Sequence, residues 1–258
     1  MTIVSDKFEK SSAALRVLSI LETVAESSTP MTATEINSEL KLPKPTIHRL
    51  CSMLENEGYL QPCLDGRGFL PGSRLSTMAM SIFKNNDHWR TERHRILKRL
   101  SEEVGETCNI SIPDGSQMVY FDRVETHWPL RIRLKKDDRV PIYCTASGKL
   151  FLNNLSSVKR SRLLAKIHLE QFTKSTITDI NKLKRELKRL APQDIGIDNE
   201  EFMQGMIAVA VPLRSEDGLF YGALAMHAPT ARMSLSDAIN HIPKLKNAAA
   251  DLVDLIQE

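Results

Sequence analysis

The sequence predicts an α+β protein in two parts. A small, mainly helical N-terminal domain comes first. Linking helices lead to a larger mixed α/β domain with a largely antiparallel sheet. Three observations carry this. Over the first hundred positions, apolar residues recur at i, i+3, i+4 and i+7, the period of helices that bury one face. From about position 106 the period changes to two, as in strands. Further on, MIAVAVPL and LFYGALAMHA flank SEDG, a strand–turn–strand signal. At 258 residues the chain is long enough for two separate cores.

The first helix carries the stripe Ala14, Val17, Leu18, Leu21 and Val24, and STPMT breaks it. Thr32 and Glu35 fit a capping box, in which a hydroxyl and a carboxylate each satisfy a free backbone N–H. The short helix that follows buries Ala33, Ile36 and Leu40, and Lys41-Leu42 makes a tight connection. Next comes LPKPTIHRLCSMLENEGYL, with Ile47, Leu50, Cys51 and Leu54 as its buried stripe. Its prolines, Pro43 and Pro45, sit where a helix has N–H groups without internal partners, so they mark a sharp start. Lys44 lies at the positive end of that helix. Thr46, Arg49 and Ser52 face away from the stripe, with His48 at its edge.

Alone, these helices read as a small core with a solvated outer face. The following QPCLDGRGFL shifts the balance. It is a hairpin whose turn, Asp65-Gly66-Arg67-Gly68, carries a cation. Helix, helix, turn, basic-tipped helix and hairpin is the order of a winged helix-turn-helix, whose second helix enters a major groove. Acids and bases are about equal over positions 1–80, so the cations Lys44, Arg49, Arg67 and Arg74 are placed rather than massed. Few phosphate contacts per subunit are expected, and affinity then depends on dimerisation over two half-sites.

Ser73 caps a helix bearing Leu75, Met78, Ala79 and Ile82 on one side. A longer helix runs from about His88 to Val104, burying Ile96, Leu97, Leu100 and Val104, and stops at Gly105. TCNISI, QMVYFDRVE and PLRIRLKK then read as strands. CTASGKLFLNNL enters a helix, and two charged helical stretches cover about 157–167 and 179–191. GIDNEEFMQG is a polar loop before the paired strands, and a last helix spans roughly Ser236 to Ile256 with Pro243 near its start or at a kink. The expected boundaries are a winged helix-turn-helix over 1–72, linking and dimerising helices over 73–104, and a mixed domain over 105–258.

Several classes are disfavoured. No apolar run approaches the ~18 residues of a membrane span, and the N-terminus lacks a signal-peptide core, which suits a cytoplasmic protein. The scattered cysteines Cys51, Cys63, Cys108 and Cys144 form no CxxC pair. TASGKL fails as a phosphate-binding loop, because Tyr143 and Leu150 stand where Gly and Ser/Thr are required. Neither HExxH nor GxSxG occurs. Cys144 has no base partner and reads as a buried structural thiol. No cofactor, metal or catalytic residue is expected.

ALRVLSILETVAE, TATEINSELKLPKPTIHRLCSMLENEGYL and the hairpin after it closely resemble the DNA-binding domain of the IclR family of bacterial transcriptional regulators. The pattern LPK-x-T-x-HRL-x-x-x-L-x-x-x-GY is specific. The downstream segments D-G-x-x-x-V-Y-x-D-R-V-E, P-L-R, V-P-x-x-x-TA-x-GK and D-x-EE-x-x-x-G resemble the effector domain of the same family, so the likeness covers nearly the whole chain. Two positions depart: Lys41 stands where a glycine is usual, and Pro45 where a small residue is usual. A lysine in a left-handed turn costs about 1 kcal/mol.

The resemblance implies a GAF- or profilin-like effector domain and a homodimer or homotetramer that binds a near-palindromic double-stranded DNA operator. It places DNA contacts at Lys44, Pro45, Thr46, His48, Arg49 and Arg67. It places an effector pocket at Ile132, Val140, Ala146, Ser147, Asp198 and Ala208, the last where the family often has cysteine. Asn109 and Ser111 on the first strand of that domain add hydrogen-bonding groups. A small organic acid, a carboxylate or aromatic acid, suits such a pocket. The competing interpretation is a small-molecule enzyme or sensor whose winged helix makes protein contacts. Asp198 also has a plain structural reading, as a turn residue that stabilises its own loop.

Overall fold

A computed structural model describes residues 12–27, 29–63, 68–85, 87–129, 138–216 and 218–257. The chain forms two compact units that meet in sequence at Asp87 and His88.

The first unit contains α1 (Ala13–Glu26), α2 (Ala33–Leu40), α3 (Lys44–Asn56), β1 (Leu60–Pro62), β2 (Phe69–Pro71) and α4 (Ser73–Asn85). The buried face of α1 is Ile20, Leu21 and Val24, with Val17 packed against it. This corrects the expected stripe, because Ala14 is exposed and Leu18 is 53% exposed. Positions 17, 20, 21 and 24 share the same helical spacing, and periodicity alone does not choose between two overlapping stripes. The capping box of α2 forms as expected: Thr32 Oγ1 accepts from the Glu35 N–H at 3.2 Å, and Glu35 Oε2 accepts from the Thr32 N–H at 2.7 Å.

Between α2 and α3 the Asn37 side chain spans the turn. Its Nδ2 donates to the Leu42 carbonyl at 2.9 Å, and its Oδ1 accepts from the Leu42 N–H at 2.7 Å. Lys41 adopts the left-handed conformation, with φ of 52°. Ile36, Leu40, Ile47, Leu50, Cys51, Leu54 and Leu60 complete the core. The hairpin pairs Leu60 with Pro71 in antiparallel register, and its tip, with Arg67, lies outside the described residues. Arg74 folds back along the surface: its Nη1 donates to Glu57 Oε2 at 3.1 Å, and its guanidinium stacks over the Tyr59 ring.

The second unit contains α5 (Asp87–Val104), β3 (Thr107–Asp114), β4 (Gln117–Val124), β5 (Arg139–Pro141), α6 (Ala146–Asn154), α7 (Ser157–Leu164) and α8 (Ile180–Leu190). It continues through β6 (Gly196–Asn199), β7 (Met206–Arg214), β8 (Phe220–Pro229), α9 (Leu235–Asn240) and α10 (Ile242–Gln257). The sheet order is β5-β4-β3-β8-β7-β6, every neighbouring pair antiparallel. The strand expected at PLRIRLKK falls on residues of which 130–137 are outside the described ones. The expected single terminal helix is two, broken at His241. Pro243 takes the second position of α10, where its missing N–H costs nothing.

Both faces of this sheet are covered. One carries Cys108, Ile110, Val209, Val211, Leu224 and Met226, which pack with Leu97 and Leu100 of α5 and Leu245 and Leu252 of α10. The alternate positions face α6. There Ala208, Ala210, Ala223 and Ala225 cluster with Ala146 and Leu150. Polar side chains share that second face: Asn109 lies opposite Ala225, and Thr107 and Ala208 both lie opposite His227.

Lys41→Gly tests the αL connection directly. Glycine reaches positive φ without the Cβ clash, so urea unfolding is expected to show a gain of about 0.5–1 kcal/mol with an unchanged m-value. An unchanged or lower midpoint would refute the strain at this residue.

Candidate functional site

Two sites emerge, one in each unit. In the first, Pro43 stands just before α3 as its capping residue, and Pro45 occupies the second position of the helix. No side chain caps this helix; the Thr46 and Ile47 N–H groups donate to the Pro43 carbonyl at 2.8 and 3.2 Å. Ile47, Leu50, Cys51 and Leu54 anchor the helix inward. That anchoring leaves Lys44, Pro45, His48 and Arg49 exposed and Thr46 half-buried. Five of the six residues expected to contact DNA thus lie on the leading turns of one helix, and Arg67 falls outside the described residues. Long donors at a positively polarised helix tip suit phosphates and base edges.

In the second unit, Asn109, Val140, Ala146, Ser147, Asp198 and Ala208 line one cavity. Ser111 is fully buried on the same strand but does not line it, and Ile132 lies outside the described residues. Tyr120, Thr145, Phe202, Met206, Ala225 and His227 complete the lining and were missed in the sequence. One signal was available for His227: it continues the alternation Ala223, Ala225, His227 on the face opposite Leu224 and Met226. The cavity volume among the described residues is about 20 Å³, room for roughly one water molecule.

Close approach of α6 builds this cavity. A Cβ on Gly196 would stand 1.9 Å from the Ala146 carbonyl oxygen, and one on Gly148 would stand 2.3 Å from Ile142 Cα. The N-terminus of α6, capped by Thr145 Oγ1 accepting from the Gly148 N–H at 3.2 Å, therefore opens onto the cavity. Lys149 projects the other way and is fully buried. Its Nζ donates to Glu201 Oε1 at 2.5 Å and lies 3.9 Å from Glu186 Oε1. Asp198 Oδ1 accepts from the Glu201 N–H at 2.8 Å and the Phe202 N–H at 3.3 Å. Asp198 thus caps its own loop and also faces the cavity.

Burial sets the protonation of the site. It pushes the Asp198 carboxyl up to about 7, against the lowering effect of the two N–H donors and Lys149. It pushes His227 down to about 3, and neighbouring Arg123 adds to this. Arg123 Nη2 lies 3.5 Å from His227 Nε2. A guanidinium only donates, so Nε2 accepts and Nδ1 is assigned the proton. The Cys144 thiol is buried and burial raises its pKa, the reverse of an activated nucleophile. Among the described residues, Asn109 Nδ2 and Ser111 Oγ are buried without a hydrogen-bond partner.

Comparison with known proteins decides what these two sites belong to. Residues 13–62 match the IclR helix-turn-helix domain, and residues 84–254 match the bacterial transcriptional regulator IclR C-terminal domain. The chain belongs to the IclR family of bacterial transcriptional regulators. Within that family it is 37% identical over 93% of its length to a Cupriavidus necator protein named "Probable transcriptional regulator SauR", covering 95% of that relative. A crystal structure from Rhodococcus sp. RHA1, of a protein assigned as a transcriptional regulator, aligns over 94% of this chain and 96% of that one, with a TM-score of 0.64 and 25% identity. The inducer-binding domain of the PobR transcription factor from Acinetobacter, a double mutant in complex with 3-hydroxybenzoic acid, aligns over 62% of this chain and 95% of that one, with a TM-score of 0.58 and 27% identity. This IclR-family protein is therefore a DNA-binding transcriptional regulator and not an enzyme.

Asp198 gives its fold a pH signature. Its folded pKa lies above the ordinary aspartate value, so between about pH 4 and 7 the unfolded chain loses this proton first. The contribution of Asp198 to stability is then greatest below pH 4 and is lost as pH rises through 7. Asp198→Asn keeps an acceptor for the two loop amides and removes the titration. Melting temperatures from pH 4 to 8 should show the variant gaining on the parent as pH rises; parallel curves would contradict the raised pKa.

Proposed function

We propose that α3 enters the operator's major groove through Lys44, Thr46, His48 and Arg49, with Pro45 shaping the leading turn. Arg67 on the wing reaches the backbone or minor groove. What supports this is the exposure of Lys44, His48 and Arg49, with Thr46 half-buried, beside a helix tip that no side chain caps among the described residues. Residues 73–104 link and dimerise the subunits. The regulator then works as a homodimer or homotetramer on a near-palindromic site, where two half-sites supply the affinity that one charge-balanced domain lacks.

The cavity on the α6 face binds a small organic acid. One observation carries this reading: Asn109 Nδ2 is buried without a partner on a sheet face that α6 covers. Unmet polar groups in a core are costly, and a ligand that meets them recovers that cost. The α6 N-terminus and a neutral Asp198 are suited to a carboxylate, and Asn109 and His227 to a second polar group. The 3-hydroxybenzoic acid complex of the PobR domain supports an aromatic acid or a smaller relative of one. With about 20 Å³ free, side chains such as Phe202 and Met206 must move to admit it.

Arg49→Ala is expected to weaken operator binding by about 1–3 kcal/mol and to relax specificity at one base; a gel shift with parent-like affinity would reject the placement. Asp198→Ala is expected to alter the effector response while ligand-free DNA binding stays intact. Calorimetry against an acid found by thermal-shift screening decides this: unchanged binding would leave Asp198 a loop cap only.

A further inference from the structure

The cations of this regulator are not where its DNA-reading helix is. Residues 1–80 hold eight bases and nine acids. Residues 157–190 hold ten Lys or Arg against three Asp or Glu, a surplus of seven in a chain whose total is only +3. The rest of the protein is therefore net acidic, and the positive field comes from the α7–α8 segment.

Helical spacing gathers those cations. Leu183, Leu187 and Leu190 are the buried stripe of α8, and Asp179 caps it by accepting from the Lys182 N–H at 2.7 Å. Lys182, Arg185 and Lys188 stand on the exposed side, three residues apart. Lys159, Arg162 and Lys166 repeat the pattern along α7 and the turn after it. Leu164 of α7 belongs to the same core cluster as Leu183 and Leu187 of α8.

Long charged side chains usually do no more than coat a helix. On α5 most are matched: Arg95 pairs with Glu92, Arg99 with Asp251 and Arg93 with Asp122. On α8, among the described residues, only Arg189 is so matched, by Glu186. Among the described residues, none of Lys159, Arg162, Lys166, Lys182, Arg185 and Lys188 makes an ion pair. Unpaired like charges held together destabilise a free protein and favour a polyanion. From Lys182 to Lys188 they run along about 9 Å of helix axis, facing a duplex that carries one charge per about 1.7 Å.

We propose that the α7–α8 face is a second DNA-contacting surface. It binds the phosphate backbone of duplex DNA without reading sequence and supplies the electrostatic attraction that the winged helix lacks. The base-reading helix then sets the site, and the C-terminal unit contributes the salt-dependent part of the affinity.

The test uses the full-length protein with Arg162, Lys166, Lys182, Arg185 and Lys188 all changed to Gln, a good helix former. Anisotropy with a duplex of arbitrary sequence, about 40 base pairs long, is read from about 50 to 250 mM salt. Each lost phosphate contact lowers the log–log salt slope by about 0.9, so a slope shallower by about 2 or more is expected, with at least about tenfold weaker binding near 100 mM. Arg49→Ala should change that slope by no more than about one contact. A slope drop smaller than about 2 overturns the proposal. So does a variant that loses only its binding to anionic phosphatidylglycerol vesicles, which would make the patch a lipid surface. Equal melting curves establish folding; if the fivefold variant melts early, Lys182→Gln/Arg185→Gln/Lys188→Gln is read by the same criterion, with a drop of about 1.5 or more expected and anything less overturning the proposal.

Discussion

Helix α6 rests on alanines. Ala208, Ala210, Ala223 and Ala225 present one carbon each, and Gly196 presents none, so the helix backbone comes within van der Waals reach of the sheet. Larger side chains there would lift the helix and leave gaps that a close-packed interior does not tolerate. The close seat has two results. It puts the open N-terminus of α6 at the cavity, and it carries Lys149 out of water into contact with Glu201. A buried pair of this kind rarely adds net stability, because desolvation of both charges offsets their attraction. Its use is positional: with one partner displaced, the other charge is left buried and uncompensated, so the loop bearing Glu201 has one strongly preferred place.

The winged helix follows a different economy. Its core is small, and much of its definition lies in the turn between α2 and α3. Asn37 holds both backbone groups of Leu42, while Lys41 accepts a conformation that glycine adopts more easily. The orientation of α3 depends on that turn, because the helix begins two residues later. Arg74, exposed but paired with Glu57 and stacked on Tyr59, lies at the far end of α3 rather than adding charge to its leading turn. A DNA-reading domain with few free cations relies on geometry, and geometry is what the Asn37 clamp fixes.

These features were legible in the sequence to different degrees. Patterned elements were readable: the Thr32–Glu35 box, the proline-led helix, the end of α5 at Gly105, and the strand pair around SEDG all form where spacing placed them. Choice between equivalent patterns was not. In α1 the helical period fits Leu18 as well as Ile20, and only the packing against α2 and β2 selects Ile20. The cavity was half legible. Residues carried by motifs, Ala146, Ser147 and Asp198, could be placed, as could Asn109; Ser111, expected beside it, is buried on the same strand outside the lining. His227 was missed because β8 is apolar on both sides, and only its pairing with β3 and β7 shows which side faces α6. Asn37 was missed because its role depends on the backbone of residue 42 turning back toward it.

The protonation of Asp198 resolves a difficulty in the effector reading. An ionised aspartate in the cavity would repel an acid. With a pKa of about 7, the same carboxyl is still protonated in about half of the molecules at neutral pH; in that form it keeps Oδ1 as acceptor for the Glu201 and Phe202 amides and has a proton to give to a ligand carboxylate. A bound anion would then draw on Asp198, and through those two amides on the loop that Glu201 ties to Lys149. Binding shifts a regulator only as far as the ligand prefers one of its arrangements. The loop after β6 has the connections for such a preference, since one carboxyl group faces the cavity, caps the loop and lies beside the buried ion pair.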